Sequence, residues 1–220
     1  MNANAIIEVL EEFVSENKQA HIERVLQLRT RHLTLVFEDI DKPHNVSAVL
    51  RTAECMGIQD LHFIKNKNSY EVNPIITQGA AKWVNMHHHD QAEDNVAECF
   101  DSLRKDGYQI YATSLEETSR SIYDIDPNQK TAIVFGTESD GITPEVGGKA
   151  DGFVHIPMNG FTESFNLSVS AAICITVLKS RLGQWPELSK KEKLDLRAQW
   201  YRKIVREADL ILKAKGVAYE

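Results

Sequence analysis

The stretch VHIPMNGFTESFNLSVSAA (Val154 to Ala172) runs from an apolar strand-like segment, through a loop of Gly, Ser and Asn, into a second apolar run. Asn166 to Leu178 is apolar almost all round, which predicts a buried helix. Just upstream, AIVFGTESDGITPE (Ala132 to Glu145) repeats the design: a buried strand ends in a glycine loop. About 90 residues earlier, HNVSAVLRTAECMG (His44 to Gly57) places small polar residues at the start of a helix-spaced stripe, Val46, Val49, Leu50 and Ala53. Small polar residues at the edges of apolar elements are how an α/β protein builds a small-molecule site from loops on a rigid sheet.

Further from these segments the pattern alternates. Leu33 to Phe37, Leu61 to Ile64, Val84 to His88, Tyr108 to Ala112, Thr131 to Phe135 and Val154 to Ile156 read as strands. Helix-period runs lie among them, at 46–53, 96–103 and 166–178. Strands alternating with helices predict a mostly parallel sheet covered on both faces. Residues 5–29 carry helical periodicity through Ile6, Val9, Leu10, Phe13, Ile22, Val25 and Leu26. After Pro186 a further helical stretch spans 190–215, with Leu194, Trp200, Ile204, Val205, Leu210 and Ile211 as its apolar stripe. The polar KNKNSYEVN (Lys65 to Asn73) reads as a loop. The expected organisation is an N-terminal helical extension (1–32), one α/β domain (33–182) and a C-terminal helical extension (183–220).

No apolar run reaches the roughly 18 residues needed to span a bilayer. The opening MNANAIIEVLEEF carries Glu8, Glu11 and Glu12 where a signal peptide would carry Lys or Arg. Cys55, Cys99 and Cys174 are far apart without metal-ligand spacing, and read as reduced core thiols of a cytoplasmic protein. His87-His88-His89 invites a metal, but neighbours on a strand face opposite sides, so none is expected. The net charge of −7 opposes nucleic-acid binding at first sight. Yet residues 179–220 hold eleven Lys and Arg against six Asp and Glu. A basic tail on an acidic body is either a solvated helix face or a local phosphate-binding surface.

Singly, the polar residues are ambiguous. Asn45 suits an N-cap. Arg51 points about 140° away from Val46, so it is either an exposed arginine or a fork that holds a phosphate. Gly136 and Gly141 permit a sharp turn or the close approach of a ligand. Their spacing is neither the dinucleotide fingerprint nor a P-loop. Ser164, Asn166 and Ser168 are caps, or part of a polar site at a helix start.

Together, in this order and spacing, the three segments resemble the SPOUT superfamily of methyltransferases, and within it the TrmH group of RNA ribose 2′-O-methyltransferases. The likeness covers about residues 33–182. Lys42-Pro43-His44-Asn45-Val46-Ser47-Ala48 and Ile156-Pro157-Met158 bring it nearest to the members that methylate guanosine 18 of tRNA. The resemblance implies an α/β sheet whose segment at about 131–180 ties a deep trefoil knot, and a homodimer with its active site near the subunit interface. It implies S-adenosylmethionine held by Thr113, Ser114, Leu115, Gly136, Glu138, Ile156, Met158, Ser164, Phe165 and Asn166. Arg51 corresponds to the catalytic arginine, with Asn45, Glu138, Ser164 and Asn166 in support. Ser47 stands where many members have Gly, and Phe165 replaces a usual Leu, whose place beside the adenine pocket or interface its bulk reshapes.

A ribose hydroxyl must lose its proton to attack the methyl carbon, and Arg51 serves either as base or as a fixed cation beside the alkoxide. The motifs do not name the RNA. Transfer RNA is the expected partner, with ribosomal RNA, another tRNA position or a silent knotted RNA-binding protein as alternatives. Expected phosphate contacts are Arg24, Arg29 and Arg31 near the start, and Lys190, Lys191, Lys193, Arg197, Arg202, Lys203 and Arg206 in the tail.

Overall fold

The computed structural model describes residues 2–40, 42–66, 77 and 79–217. Residues 67–73 of the expected polar loop lie outside the described residues. The chain divides into two compact units, residues 31–185 and a second made of residues 1–30 with 186–220.

The larger unit is a seven-stranded sheet. Its strands are β1 (Leu33–Glu38), β2 (Asp60–Ile64), β3 (Asn85–His89), β4 (Gln109–Thr113), β5 (Arg120–Ser121), β6 (Thr131–Phe135) and β7 (Gly152–His155). They lie in the order β3-β2-β1-β6-β4-β7-β5, and every pairing is parallel. Leu35 pairs with Leu61 on one side and Ile133 on the other. All six residues of β1 are buried. Side chains alternate, so Leu35, Phe37, Ile133 and Phe135 enter one core layer while Val36, Ala132 and Val134 enter the other. Helices α3 (Pro43–Cys55) and α6 (Leu167–Leu182) contribute Val46, Leu50, Ala171 and Ile175 to the first layer. The second is covered by Val96, Phe100 and Leu103 of α4 (Asn95–Lys105) and Val146 of α5 (Pro144–Lys149).

The smaller unit contains α1 (Ala3–Leu10), α2 (Glu16–Leu26), α7 (Lys190–Ile204) and α8 (Ala208–Ala214). The two terminal extensions thus form one helical unit, with α1 against α7 and α8. A capping box starts α7: the Ser189 hydroxyl accepts from the Glu192 N–H, and the Glu192 carboxylate accepts from the Ser189 N–H.

Several local expectations need correction. The run 5–29 is two helices, broken where Val14 and Ser15 adopt extended backbone. The tail breaks at Val205 and at Glu207, whose φ is +55°. Its buried residues are Leu196, Ala198, Trp200, Tyr201, Ala208 and Leu212, whereas Leu210 is exposed; the break shifts the helical phase that a continuous 3.6-residue period assumes. The short edge strand β5 had no apolar run to announce it. Cys55 lies on the exposed side of α3, while Cys99 and Cys174 are buried, and all three are free. Helix α6 is also less enclosed than expected: Val169 is 44% exposed.

Candidate active site

The carboxyl ends of β4, β6 and β7 open into one cavity of about 570 Å³, a size ordinary for a small-molecule site. Each wall is a strand followed by its loop. Thr113 ends β4 and Ser114 and Leu115 follow it, Gly136 and Glu138 follow β6, and Ile156, Met158, Ser164 and Phe165 follow β7. Of the expected cofactor residues, Asn166 alone is not in the lining.

The β6 loop is held rigidly at both ends. Thr137 and Gly141 exchange backbone hydrogen bonds of 3.0 and 3.1 Å. Gly141 sits at φ +69°, a region that glycine enters without strain. A Cβ on Gly136 would lie 1.9 Å from the Gly141 carbonyl oxygen, so the crossing backbone leaves no room for a side chain. Downstream, the Thr143 N–H and hydroxyl donate to buried Glu38 at the end of β1, at 2.9 and 2.5 Å. Burial raises the Glu38 carboxyl above its ordinary value, and the bonds from Thr143 oppose that rise. Glu38 was missed in sequence because no short motif links it to a residue about 105 positions away.

A polar cluster gathers beside this loop. Asn45 is buried within the first turn of α3; the cap is Lys42, with Pro43 opening the helix, so of the two readings of Asn45, cap or supporting site residue, the cap does not hold. The Asn45 side-chain amide donates to Glu138 Oε1 at 2.7 Å. The Asn166 amide donates to Asn45 Oδ1 at 3.1 Å and to Glu138 Oε1 at 3.2 Å. Its Oδ1 accepts from the Ser168 N–H at 2.9 Å, so Asn166 also caps α6. Lys42 pairs with Glu138 Oε2, a pairing that no local motif announces. Hydrogen bonds from Lys42 first, then Asn45, hold the Glu138 carboxyl below its ordinary value of 4.5.

Glu138→Gln is expected to lower cofactor affinity about tenfold, the usual scale for weakening charge-assisted hydrogen bonds at a partly solvated site. The depressed folded value means the stabilisation from Glu138 is complete above pH 4.5 and is lost as pH falls through that lower value. Acid unfolding followed by circular dichroism should lose that component in the variant. An unchanged acid midpoint and unchanged affinity would remove Glu138 from the site.

Arg51 is exposed on α3, and among the described residues it has no hydrogen bond or ion pair. The structure therefore brings Asn45, Glu138 and Asn166 together, puts Ser164 in the cavity wall, and leaves the Arg51 guanidinium available to a ligand. Cys174 also lines the cavity, but burial pushes its thiol up to about 12, which removes it as a nucleophile at neutral pH. Glu116, Asp140 and Glu163 add carboxylates to the lining.

The expected phosphate contacts separate into three groups. Arg29 is 1% exposed, with its guanidinium 5.5 Å from the Trp200 ring, so it is a packing residue and the surface role is corrected. Arg31 pairs with Asp60 at 2.6 Å, Lys193 with Glu187 at 2.6 Å, Arg202 with Asp209 at 2.8 Å, and Arg197 with Glu23. Arg24, Lys190, Lys191, Lys203 and Arg206 remain exposed, although Arg24 meets His21 at 3.0 Å, Lys191 pairs with Asp195 at 3.8 Å and Arg206 with Glu207 at 3.8 Å. Among the described residues, no helix is long and apolar enough to cross a membrane.

Residues 32–176 match the model of the SpoU rRNA Methylase family. A tRNA (guanosine(18)-2′-O)-methyltransferase of Borreliella burgdorferi is 42% identical, covering 93% of this chain and 94% of its own. The enzyme of the same name from Thermus thermophilus is 34% identical, over 86% of this chain and 98% of its own. The crystal structure of the A. aeolicus TrmH/SpoU tRNA modifying enzyme superposes with a TM-score of 0.76 at 28% identity, over 87% of this chain and 98% of that one.

Proposed function

This chain belongs to the SpoU rRNA Methylase family, and on that premise we propose that it methylates the ribose 2′-hydroxyl of guanosine 18 in tRNA, with S-adenosylmethionine as methyl donor. The observation that carries this reading is the convergence of three strand-end loops on one cavity, with the Asn45–Glu138–Asn166 cluster fixing the middle loop. The target follows the names of the relatives in Borreliella and Thermus, which align along nearly the whole of their length.

The cavity suits the donor. Leu115, Ile156, Met158 and Phe165 supply apolar contact, Ser114 and Ser164 supply hydroxyls, and Glu116 and Glu163 face a ligand that carries positive charge. Bound there, S-adenosylmethionine supplies an electrophilic methyl on a sulfonium. The ribose oxygen would take that methyl as its bond to sulfur breaks, and the hydroxyl proton would pass to solvent. Arg51 acts as a fixed cation that positions a substrate phosphate and stabilises the emerging alkoxide. A guanidinium holds its proton so firmly that it is a poor base at neutral pH. Glu138, Asn45 and Asn166 act one step back, by holding the loop that shapes the cavity.

The working form in this reading is a cytoplasmic homodimer. Exposed Phe165 and Val169, at the start of α6, offer the apolar surface that a second copy would cover. The 131–180 segment ties a trefoil knot, supported by the likeness to the A. aeolicus fold and by β6 lying between β1 and β4 while β7 lies beyond β4.

Exposed Lys190, Lys191 and Arg206 serve as phosphate-binding cations. Replacing all three with Gln should weaken tRNA binding and reduce its log–log salt slope by about two to three, close to one for each cation replaced. Lys193→Gln with Arg197→Gln should instead lower Tm, since those side chains pair inside the helical unit. An unchanged slope in the triple variant would assign the tail to packing.

The direct test is transfer from labelled S-adenosylmethionine to unmodified tRNA and, in parallel, ribosomal RNA, with the modified nucleotide mapped. A 2′-O-methylguanosine at position 18 of tRNA is expected. Label confined to ribosomal RNA would overturn the target, and no label in either RNA would overturn the activity.

A further inference from the structure

Away from the cavity, β3 forms one edge of the sheet. Its three histidines alternate. His88 stacks on Phe63 with ring centroids 5.6 Å apart, whereas His87 and His89 both stack on His62, at 4.6 and 5.4 Å. Helix α4 packs on β2 and β3 here. His62 is 7% exposed, His89 6% and Cys99, from α4, 0%. His62 Nδ1 lies 3.1 Å from His89 Nε2. One ligand atom from each of His62, His89 and Cys99 falls within 4.8 Å of the other two.

We infer that His62, His89 and Cys99 form a buried binding site for one zinc ion, joining the edge strand β3 and its neighbour β2 to α4. Two imidazoles and a thiol are a zinc ligand set, and the soft sulfur disfavours magnesium and calcium. Tetrahedral zinc, with bonds of about 2.0–2.1 Å to nitrogen and 2.3 Å to sulfur, spaces its ligand atoms by roughly 3.3–3.7 Å. The observed separations, all within 4.8 Å, reach that geometry with shifts of at most roughly 1–1.5 Å.

The surroundings favour the same arrangement. His89 Nδ1 lies 3.1 Å from Glu98 Oε2. That carboxylate selects the tautomer protonated at Nδ1 and leaves Nε2, which lies 3.1 Å from His62 Nδ1, as the nitrogen with the free lone pair. A carboxylate behind a histidine is the usual outer support of a metal-bound imidazole. In the metal-free arrangement, His62 donates its Nδ1 proton to His89 Nε2. On zinc binding that proton moves to Nε2 of the His62 ring, the Cys99 thiol releases one proton to solvent, and the thiolate binds the metal. The fourth position takes water.

The test uses the full-length protein, reduced and stripped with chelator, then titrated with Co²⁺ as a spectroscopic stand-in and afterwards with Zn²⁺. One Co²⁺ per chain is expected, with a thiolate-to-cobalt charge-transfer band that zinc abolishes by displacement. Cys99→Ala should eliminate that band, while Cys55→Ser and the double variant His87→Gln, His88→Gln should keep it. Glu98→Gln should keep the band but weaken affinity about 10- to 100-fold. A readout that needs no variant is alkylation: zinc should slow modification of Cys99 and leave Cys174, the other buried thiol, unaffected. The inference is overturned if the wild type takes up no metal, if the band survives in Cys99→Ala, if it vanishes in the His87/His88 variant, or if zinc protects both thiols equally.

Discussion

Arg51→Ala is expected to lower the single-turnover rate of methyl transfer by about 10²–10³-fold, the loss typical when one group that stabilises a developing oxyanion is removed. Folding should be untouched. The side chain is exposed and, among the described residues, has no hydrogen bond or ion pair whose loss would strain the chain. Alanine is also the better helix former at this position of α3. Cofactor affinity should stay within about twofold, because Arg51 is not in the cavity lining. Rate and binding therefore separate: the rate falls at saturating S-adenosylmethionine while its Kd, measured by calorimetry, holds. Arg51→Lys should recover little, since an ammonium cannot reproduce the planar fork. Full turnover in Arg51→Ala would exclude both the base and the fixed-cation role.

Gly136→Ala is expected to cost about 3 kcal/mol of stability, near the upper end for overpacking a closed site, and to reduce cofactor affinity by about 100-fold or more. The added Cβ meets backbone on every near side: Gly141 O at 1.9 Å, Gly141 C at 2.1 Å and Ile142 N at 2.4 Å. No side-chain rotamer can relieve those clashes. The loop must move instead, breaking the reciprocal Thr137–Gly141 hydrogen bonds and displacing Glu138 from Asn45 and Asn166. Gly160→Ala is the matched control in the loop after β7, where the nearest atom to a new Cβ is Thr162 N at 3.9 Å. Thermal melts and cofactor titrations of the two variants should differ sharply. Equal behaviour would show that the β6 loop rearranges at little cost and that its shape does not control the cavity.

The two variants also mark how far the sequence was legible. Gly136 and Gly141 stood out because a glycine loop at the end of an apolar strand is a local signal. That a side chain is forbidden at Gly136 depends on the returning backbone at Gly141, which composition cannot report. Arg51 was visible as an arginine off an apolar stripe, and helical geometry alone placed it on the outer side of α3. Asn45 was legible in two ways, as a cap and, through the family resemblance, as a supporting site residue, and its local sequence did not choose between them. Asn near a helix start most often satisfies a backbone N–H, and only a partner 93 residues away, Glu138, claims this one instead. Among the basic residues, Arg29 and Arg24 looked alike in sequence, yet one packs against Trp200 and the other is exposed. The histidine run on β3 was correctly read as alternating, but the partners that complete a ligand set lie on β2 and α4.

What the sequence determined by itself was the material of the fold: which segments form six of the seven strands, that their sheet is mostly parallel and buried on both faces, and that glycine, serine and asparagine edge three of its elements. Hydrophobic periodicity carries that information because each side chain's preference for core or water is decided within a few residues of itself. The tertiary structure alone decided which polar groups meet. Asn45, Glu138 and Asn166 are brought together by the placing of β6 beside β1, and His62, His89 and Cys99 by the packing of α4 on the sheet edge. Strand order and helix packing arise from burying the whole core at once, so no window of sequence contains them.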